Sequence, residues 1–378
     1  MAKGAYIGVG GKARKITKGY IGIDGIAHKI KKAYIGIGGV ARPCWSGGEL
    51  AYYGTITELV TDRRYLAATS IGDYALFGGG RTNSNTISDE VVAYNGSLTR
   101  STPSAMHSKQ QNLAAMHVGN YALFGGGTTG SAGSSTITAY NKSLTKKTAS
   151  MSSARYHAAA ARAGNYALFG GGISSSEFRT TVDAFNESLT RFSVTALGEA
   201  KGYHTATSVG TYALFGGGYT GSYRSAVYAY DESLTRSTPS ALSESRGHLA
   251  ATYVGDYALF GGGVALNDTY SNVVNAYNNS LTRSNPTKLS VARGYLAAAP
   301  ISFESEVKYA LFGGGVTGTD TYSNVVNAYN NSLTRSNPTK LSVARGYLAA
   351  ASVENYVLFG GGATNTEVTK MVEAYIFA

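Results

Sequence analysis

Short apolar runs that end in glycine recur along most of this chain. Six copies read Tyr-Ala-Leu-Phe-Gly-Gly-Gly, and they begin at Tyr74, Tyr121, Tyr166, Tyr212, Tyr257 and Tyr309. A seventh copy begins at Tyr356, with Val357 in place of alanine, and successive copies are spaced by 45 to 52 residues. Repeats of this length, rich in β-type residues, indicate a β-propeller with one four-stranded blade per repeat. The sequence therefore predicts an all-β, seven-bladed propeller over residues 48–378.

The repeat at residues 293–341 illustrates the predicted blade. Residues 293–299 are expected to form the innermost strand, where converging sheets require small side chains such as the alanines at its end. The second strand, residues 309–312, is apolar throughout because blades pack on both faces. The glycine triplet after it predicts a bend pressed against a neighbouring blade. Residues 324–329 form the third strand, a turn at residues 330–332 follows, and residues 333–338 form the outer strand.

The two ends of the propeller sequence are each incomplete. The last residues, 371–378, match a third strand with no outer strand after it, whereas residues 55–59 precede the first inner strand, where an outer strand belongs. We therefore expect residues 52–60 to supply the missing outer strand of the seventh blade and close the ring. Deleting residues 372–378 is expected to destabilise the whole propeller.

The positive charge of the chain is concentrated in residues 1–47. The net charge of the whole chain is +11, and this segment holds nine basic residues against one acidic residue, a net +8. Its sequence repeats every 14 residues from Tyr6, Tyr20 and Tyr34, each time as an apolar strand, a glycine turn and a basic strand. Three such hairpin units hold too little apolar area to fold alone, so we expect them to dock on a partner. The candidate docking residues of this arm are Tyr6, Lys15, Tyr20, Lys29, Tyr34 and Trp45.

A basic residue precedes the predicted inner strand in six of the seven repeats. These residues are Arg63, Arg155, Lys201, Arg246, Arg293 and Arg345. They are expected to ring one mouth of the axial channel and to attract acidic glycans or teichoic-acid phosphates. The alternative is that each bonds carbonyl groups of the adjacent blade. By this alignment Gln110 takes the place of the basic residue in the second repeat, and Arg155 stands one position out of register.

Loops between the second and third strands vary most and share a face with the basic residues. They carry Tyr219, Tyr223, Tyr270 and Tyr322, and polar loops with tyrosine on a rigid scaffold suit ligand contact. The alternative is that they are simply solvated. Three histidines fall on repeat positions, which favours a structural role: His157 and His204 align with Leu296, and His248 aligns with Tyr295.

Two resemblances bear on function. The double glycine after an apolar strand, the aromatic residue on the next strand and the basic residue before the inner strand resemble the kelch repeat over about residues 50–378. The kelch tryptophan after the third-strand aromatic is absent here, since the chain's single tryptophan is Trp45. The arm is similar to N-terminal segments of tail and appendage proteins from phages, or phage-tail-like particles, of Gram-positive hosts.

The resemblances imply a non-enzymatic structural or adhesion component of such a particle. The arm is then expected to bind other virion or tail proteins, in multiple copies, and the propeller to bind a cell-surface glycan or another subunit. Two alternatives remain open: a carbohydrate-active propeller enzyme acting on envelope polymers, and a cytoplasmic kelch scaffold.

Further expectations concern cofactors, partners and location. No zinc-type His or Cys motif and no phosphate-binding loop is present in the sequence, so no metal, cofactor or nucleic acid is expected as a partner. The sequence has neither a signal peptide nor an apolar stretch that could span a membrane. We therefore expect assembly in the host cytoplasm and a final location in the virion.

Overall fold

The computed structural model describes residues 48–130 and 132–377 in full, and within residues 1–47 the backbone of six short strands. These six strands pair as three antiparallel hairpins, in agreement with the 14-residue repeat: β1 (Tyr6–Val9) with β2 (Lys12–Lys15), β3 (Gly19–Ile23) with β4 (Ile26–Ile30), and β5 (Ala33–Ile37) with β6 (Val40–Trp45). Strand β7 (Leu50–Thr55) follows.

Seven four-stranded antiparallel sheets make up the rest of the described chain, so the predicted all-β propeller with seven blades is confirmed. Blade 1 contains β8 (Ala67–Ile71), β9 (Tyr74–Gly78), β10 (Val91–Asn95) and β11 (Arg100–Ser101); blade 2 contains β12 (Gln111–Val118), β13 (Tyr121–Thr128), β14 (Ser134–Asn141) and β15 (Lys146–Arg155). Blade 3 contains β16 (Ala159–Ala163), β17 (Tyr166–Gly170), a loop hairpin of β18 (Ile173–Ser174) and β19 (Glu177–Phe178), then β20 (Val182–Phe185) and β21 (Arg191–Ser193).

Blades 4 to 7 repeat this arrangement. Blade 4 contains β22 (Thr205–Val209), β23 (Tyr212–Gly216), β24 (Val227–Tyr230) and β25 (Arg236–Ser237); blade 5 contains β26 (Ala250–Val254), β27 (Tyr257–Gly261), a 3-10 turn (Leu266–Asp268), β28 (Val274–Asn278) and β29 (Arg283–Ser284). Blade 6 contains β30 (Ala297–Phe303), β31 (Glu306–Gly313), a loop hairpin of β32 (Val316–Gly318) and β33 (Thr321–Tyr322), then β34 (Val326–Asn330) and β35 (Arg335–Ser336); blade 7 contains β36 (Ala349–Val353), β37 (Tyr356–Gly360) and β38 (Val372–Phe377).

The outer strand of blade 7 comes from the other end of the chain. Strand β7 pairs with β38, with Leu50 opposite Phe377 and Tyr52 opposite Tyr375. The sequence assigned residues 52–60 to this strand, whereas the structure places it at Leu50–Thr55. Beyond it, Ile56 still donates its backbone N–H to the carbonyl of Val372 at 3.0 Å. Blade 7 is therefore completed by a strand about 320 residues away in sequence, and β38 keeps no unpaired edge.

The glycine triplets lie where neighbouring blades meet, as predicted. In blade 4, a Cβ on Gly216 would come within 2.8 Å of the Phe260 ring of blade 5. The next glycine, Gly217, adopts a φ of +71°, and Gly218 donates its N–H to the carbonyl of Arg246 in blade 5 at 2.8 Å. Only glycine combines this left-handed backbone with so close an approach. The triplet therefore joins each blade to the next.

The propeller has two distinct faces. The upper face carries the connections from one blade to the next inner strand and the loops that follow the glycine triplets. The lower face carries the tight turns, such as those at Gly72 and at Asn95, whose side-chain oxygen accepts N–H bonds from Ser97 and Thr99 at 3.0 and 2.9 Å. Since Leu50 pairs with Phe377 at the lower end of β38, the chain enters the propeller from the lower face.

Candidate functional site

Seven equivalent residues meet around the propeller axis at the upper face, one at the start of the inner-strand segment of each blade. They are Tyr65, Asn112, His157, Tyr203, His248, Tyr295 and Tyr347, and we call them the axial ring. All adopt a left-handed backbone, with φ between +52° and +58°. Each donates its N–H to the carbonyl of the equivalent residue in the preceding blade at 2.9 to 3.3 Å, and Tyr65 closes the circle by donating to Tyr347. Left-handed non-glycine residues are costly and often mark functional sites.

Six of these seven side chains are aromatic, and five adjacent pairs stack. From His157 round to Tyr65, neighbouring ring centroids lie 4.1 to 4.8 Å apart with interplanar angles of 36° to 58°. Spacings near 4.5 Å are those of offset, tilted stacks, so each ring face is largely covered by its neighbour. Asn112 interrupts the series between Tyr65 and His157. The axial ring is thus a stacked aromatic arc with one polar gap.

A cavity of about 620 Å³ opens above the axial ring. Besides the ring residues it is lined by Arg81, Gln111, Tyr219, Tyr223 and Asp268. The hydroxyl of Tyr223 donates to Asp268 at 2.6 Å, which joins the loops of blades 4 and 5 across the rim. The size and the mixture of aromatic and polar groups are those of a small-molecule binding site.

Burial shifts the pKa values of both histidines and of three tyrosines of the axial ring away from neutral pH. Burial, followed by repulsion from His248, lowers the pKa of His157 to about 3, and burial lowers the pKa of His248 to about 4. Burial likewise raises the pKa of Tyr295 and of Tyr347 above the ordinary phenol value. These residues therefore present uncharged imidazole and phenol groups to the cavity, beside the side chains of Asp268 and Arg81.

The structure does not place the six predicted basic residues at the channel mouth. Their side chains are all fully buried within the blades, with relative exposure of 0%. The Nη2 of Arg155 donates to the Phe169 carbonyl at 3.0 Å and contacts the Asp183 carboxylate at 2.7 Å. Similar contacts to carbonyls of their own blade, rather than of the adjacent one, are made by Arg63, Lys201, Arg246, Arg293 and Arg345. The expected basic ring is therefore wrong: these cations are internal ties, inaccessible to an anionic ligand.

Two alignment details are corrected as well. Arg155 is in register, because it bonds the Phe169 carbonyl as Arg246 bonds that of Phe260. His157 consequently stands at the position of Tyr295, in the axial ring, and not at that of Leu296. Of the three histidines, only His204 takes the leucine position.

Two of the four predicted loop tyrosines line the cavity, and the other two lie beside residues that do. Tyr219 and Tyr223 line it, and Tyr322 packs its ring 6.5 Å from that of Tyr347. Burial, followed by the nearby charge of Asp268, raises the pKa of Tyr270. A ligand in the cavity would therefore contact Tyr219 and Tyr223 directly. For the predicted arm residues Tyr6, Lys15, Tyr20, Lys29, Tyr34 and Trp45, the side chains lie outside the described part of the structure.

Sequence reasoning missed the axial ring itself. Its residues were assigned to the inner strand, although the strand begins two residues later, at Ala67 in blade 1. A signal was present, because tyrosine or histidine stands two positions after the buried basic residue in six repeats. The left-handed backbone that turns these side chains to the axis occurs with tyrosine, histidine and asparagine alike, so residue type does not predict it.

No protein-family model matches the sequence, and no curated protein matches it significantly. Within residues 48–130 and 132–377, no group of three or more His, Cys, Asp or Glu side chains is arranged to hold a metal ion. No helix in the described part of the chain is long and apolar enough to cross a membrane.

Proposed function

We propose that this protein is a non-enzymatic, kelch-type propeller component of a phage virion or phage-tail-like particle, which binds a host-surface glycan in the cavity above the axial ring. The observation that carries the proposal is the placement of that cavity. It opens on the upper face, whereas the chain leaves residues 1–47 and enters the propeller on the lower face. A particle-bound arm would leave the cavity facing away from the particle.

The chemistry of the cavity favours a neutral, hydroxyl-rich ligand. Tyrosine hydroxyls and uncharged imidazoles both donate and accept hydrogen bonds, and ring edges offer apolar contact to sugar C–H groups. An acidic glycan is disfavoured, because the six basic residues expected to attract it are buried and bonded within the blades. The glycan of this proposal is therefore uncharged where it enters the cavity.

The arm supports the particle side of the proposal. A net +8 over 47 residues, interleaved with Tyr-Ile-Gly strands, suits docking on an acidic protein surface better than binding of nucleic acid. The arm would then join other virion or tail proteins, with many copies arrayed on one particle. Arrays of this kind gain avidity even when each site is weak.

The shifted pKa values support binding over catalysis. An efficient general acid or base has a pKa near the working pH. Here the pKa of His157 is lowered to about 3 and that of His248 to about 4, while the pKa of Tyr295 is raised, so proton transfer at neutral pH is unfavourable.

Binding of the purified chain to host cells and to an array of envelope glycans tests the proposal. The substitutions Tyr295→Asn and Tyr347→Asn suit the local backbone, because Asn112 occupies the same position at a φ of +54°. We expect each to weaken binding at least about ten-fold, as truncating a central aromatic contact does.

The matched control for these variants is Tyr253→Ser, which changes an exposed residue at the opposite end of the channel to the serine that three other blades carry there. Binding that is equally strong in all four proteins would refute the cavity as the site. Cleavage of the bound glycan over time would instead establish the carbohydrate-active enzyme.

A further inference from the structure

The polar gap in the axial ring has a second unusual residue beside it. Gln111 precedes Asn112 and lines the cavity, yet its side chain is only 6% exposed. Its Oε1 is buried without a hydrogen-bond partner among the described residues. Four other blades carry glycine at this position, as Gly202, Gly247, Gly294 and Gly346. The fold therefore does not need a glutamine here.

An unpaired amide oxygen in such a place is unfavourable for the free protein. Burying a polar atom without a hydrogen bond costs about 1–3 kcal/mol, which a ligand donor would recover. Across the gap, in blade 1, Arg81 also lines the cavity, and its Nε–H is buried without an acceptor in the described structure. Both residues, from neighbouring blades, line the cavity where the stacked rings are interrupted, and a turn of each side chain would bring its unpaired atom to a ligand there.

A secondary amide matches this arrangement. It carries one N–H donor and one carbonyl acceptor in a fixed planar group, and an acetamido group adds a methyl. The rings of Tyr65 and His157, which flank Asn112, offer apolar surface for that methyl. A sugar hydroxyl can also donate and accept, but it carries no methyl group to contact those rings.

We infer that Arg81, Gln111 and Asn112 form a notch that recognises the acetamido group of an N-acetylated amino sugar. This inference rests on the proposed function, since it names the sugar class that the cavity binds. Gln111 accepts the amide N–H, Arg81 donates to the amide carbonyl, and Asn112 leaves the space that a seventh aromatic ring would fill.

Titration calorimetry with matched trisaccharides tests the notch. Chitotriose and cellotriose differ only in the acetamido groups, and the corresponding pair of N-acetylgalactosamine and galactose oligomers widens the panel. We expect at least one acetylated sugar to bind about ten-fold or more tightly than its unacetylated match, because a site built around a hydrogen-bonded group rejects analogues that lack it.

Two substitutions drawn from the chain's own repeats probe the residues. Gln111→Gly introduces the residue of four other blades, and Asn112→Tyr introduces the ring that four blades carry at a φ of +55° to +58°. Both should remove the preference for the acetylated sugar, so that the two members of each pair bind with equal affinity. Gln111→Met, which keeps the side-chain length, should behave as Gln111→Gly does, and Tyr253→Ser should behave as the unaltered protein.

The outcomes separate the inference from the proposed function. If the protein binds the paired sugars equally, or if Gln111→Met retains the preference, the notch is refuted and glycan binding stands. If no glycan of any class binds in the cavity, the proposed function itself fails.

Discussion

His204 is a fully buried imidazole at a position where five other blades carry leucine: Leu66, Leu113, Leu249, Leu296 and Leu348. Burial, followed by the positive charge of Lys201, lowers the pKa of His204 to about 3. The unfolded chain has no such environment, so there its pKa is about 6.5. The folded state therefore excludes a proton that the unfolded state accepts.

This difference predicts a pH-dependent stability. Because the folded pKa lies below the unfolded one, the contribution of His204 is complete above about pH 6.5 and is lost as the pH falls below that value. At pH 5 the loss is about 2 kcal/mol. We expect His204→Leu to remove this loss. The unfolding free energy of the variant, relative to that of the unaltered protein, should therefore be about 2 kcal/mol higher at pH 5 than at pH 7.5. Urea denaturation at both pH values measures it, and equal pH slopes would contradict it.

At the scale of elements, the contact between a glycine and a phenylalanine of the next blade repeats all the way round. A Cβ would lie 2.6 to 3.1 Å from that ring at Gly78, Gly125, Gly170, Gly216, Gly261, Gly313 and Gly360, where the last faces Phe77 and closes the circle. In each blade, the first glycine of the triplet therefore leaves room for the phenylalanine of the next blade's second strand.

Substituting one of these glycines should loosen one blade interface. Gly216→Ala places a methyl against Phe260 at 2.8 Å, and overpacking of this kind costs about 1–3 kcal/mol. A matched control is Gly318→Ala, because Gly318 lies in a loop hairpin with its nearest neighbour at 3.6 Å. We expect thermal denaturation to show a lower melting temperature for the first variant and an unchanged one for the second. Equal melting temperatures would mean that the interface relaxes without cost.

Strands and glycine bends could be predicted from the sequence, whereas the site could not. The heptapeptide fixes the second strand and its bend because both follow from local residue type. The axial ring instead depends on hydrogen bonds between residues one repeat apart, such as Tyr203 and His248, which no local pattern encodes. The left-handed backbone of the ring residues also decides where the neighbouring side chains point. The sequence placed Arg246 at the channel mouth, while the structure turns it into the blade and leaves the tyrosines and histidines at the axis.

For the whole molecule, ring closure by β7 makes the two ends of the propeller interdependent. Five residue pairs join β7 to β38, and Ala51, which is paired with Ile376, is buried. Without β7, the third strand of blade 7 would expose an unpaired edge together with side chains that β7 covers, such as Tyr375, whose ring lies 5.4 Å from that of Tyr52 in β7.

Two truncations separate the arm from the closing strand. Deleting residues 1–47 keeps β7, and we expect the melting temperature of the propeller to remain that of the full chain. Deleting residues 1–56 removes β7, and we expect a lower melting temperature, since each lost ladder hydrogen bond contributes roughly 1 kcal/mol to stability. Calorimetry of the two shortened proteins decides: similar melting temperatures would show that β7 is dispensable.

The direction of β7 also determines how the molecule resists tension. The strand runs from the lower face, where the arm joins it, to the upper face, beside β38. If the arm is held by a particle and the cavity by a cell, the pull acts along the strand axis. The ladder bonds between antiparallel strands lie across that axis, so all of them are loaded in shear together and none is unzipped alone. Strand β7 would thereby transmit the force between the arm, held by the particle, and the propeller, held by the cell.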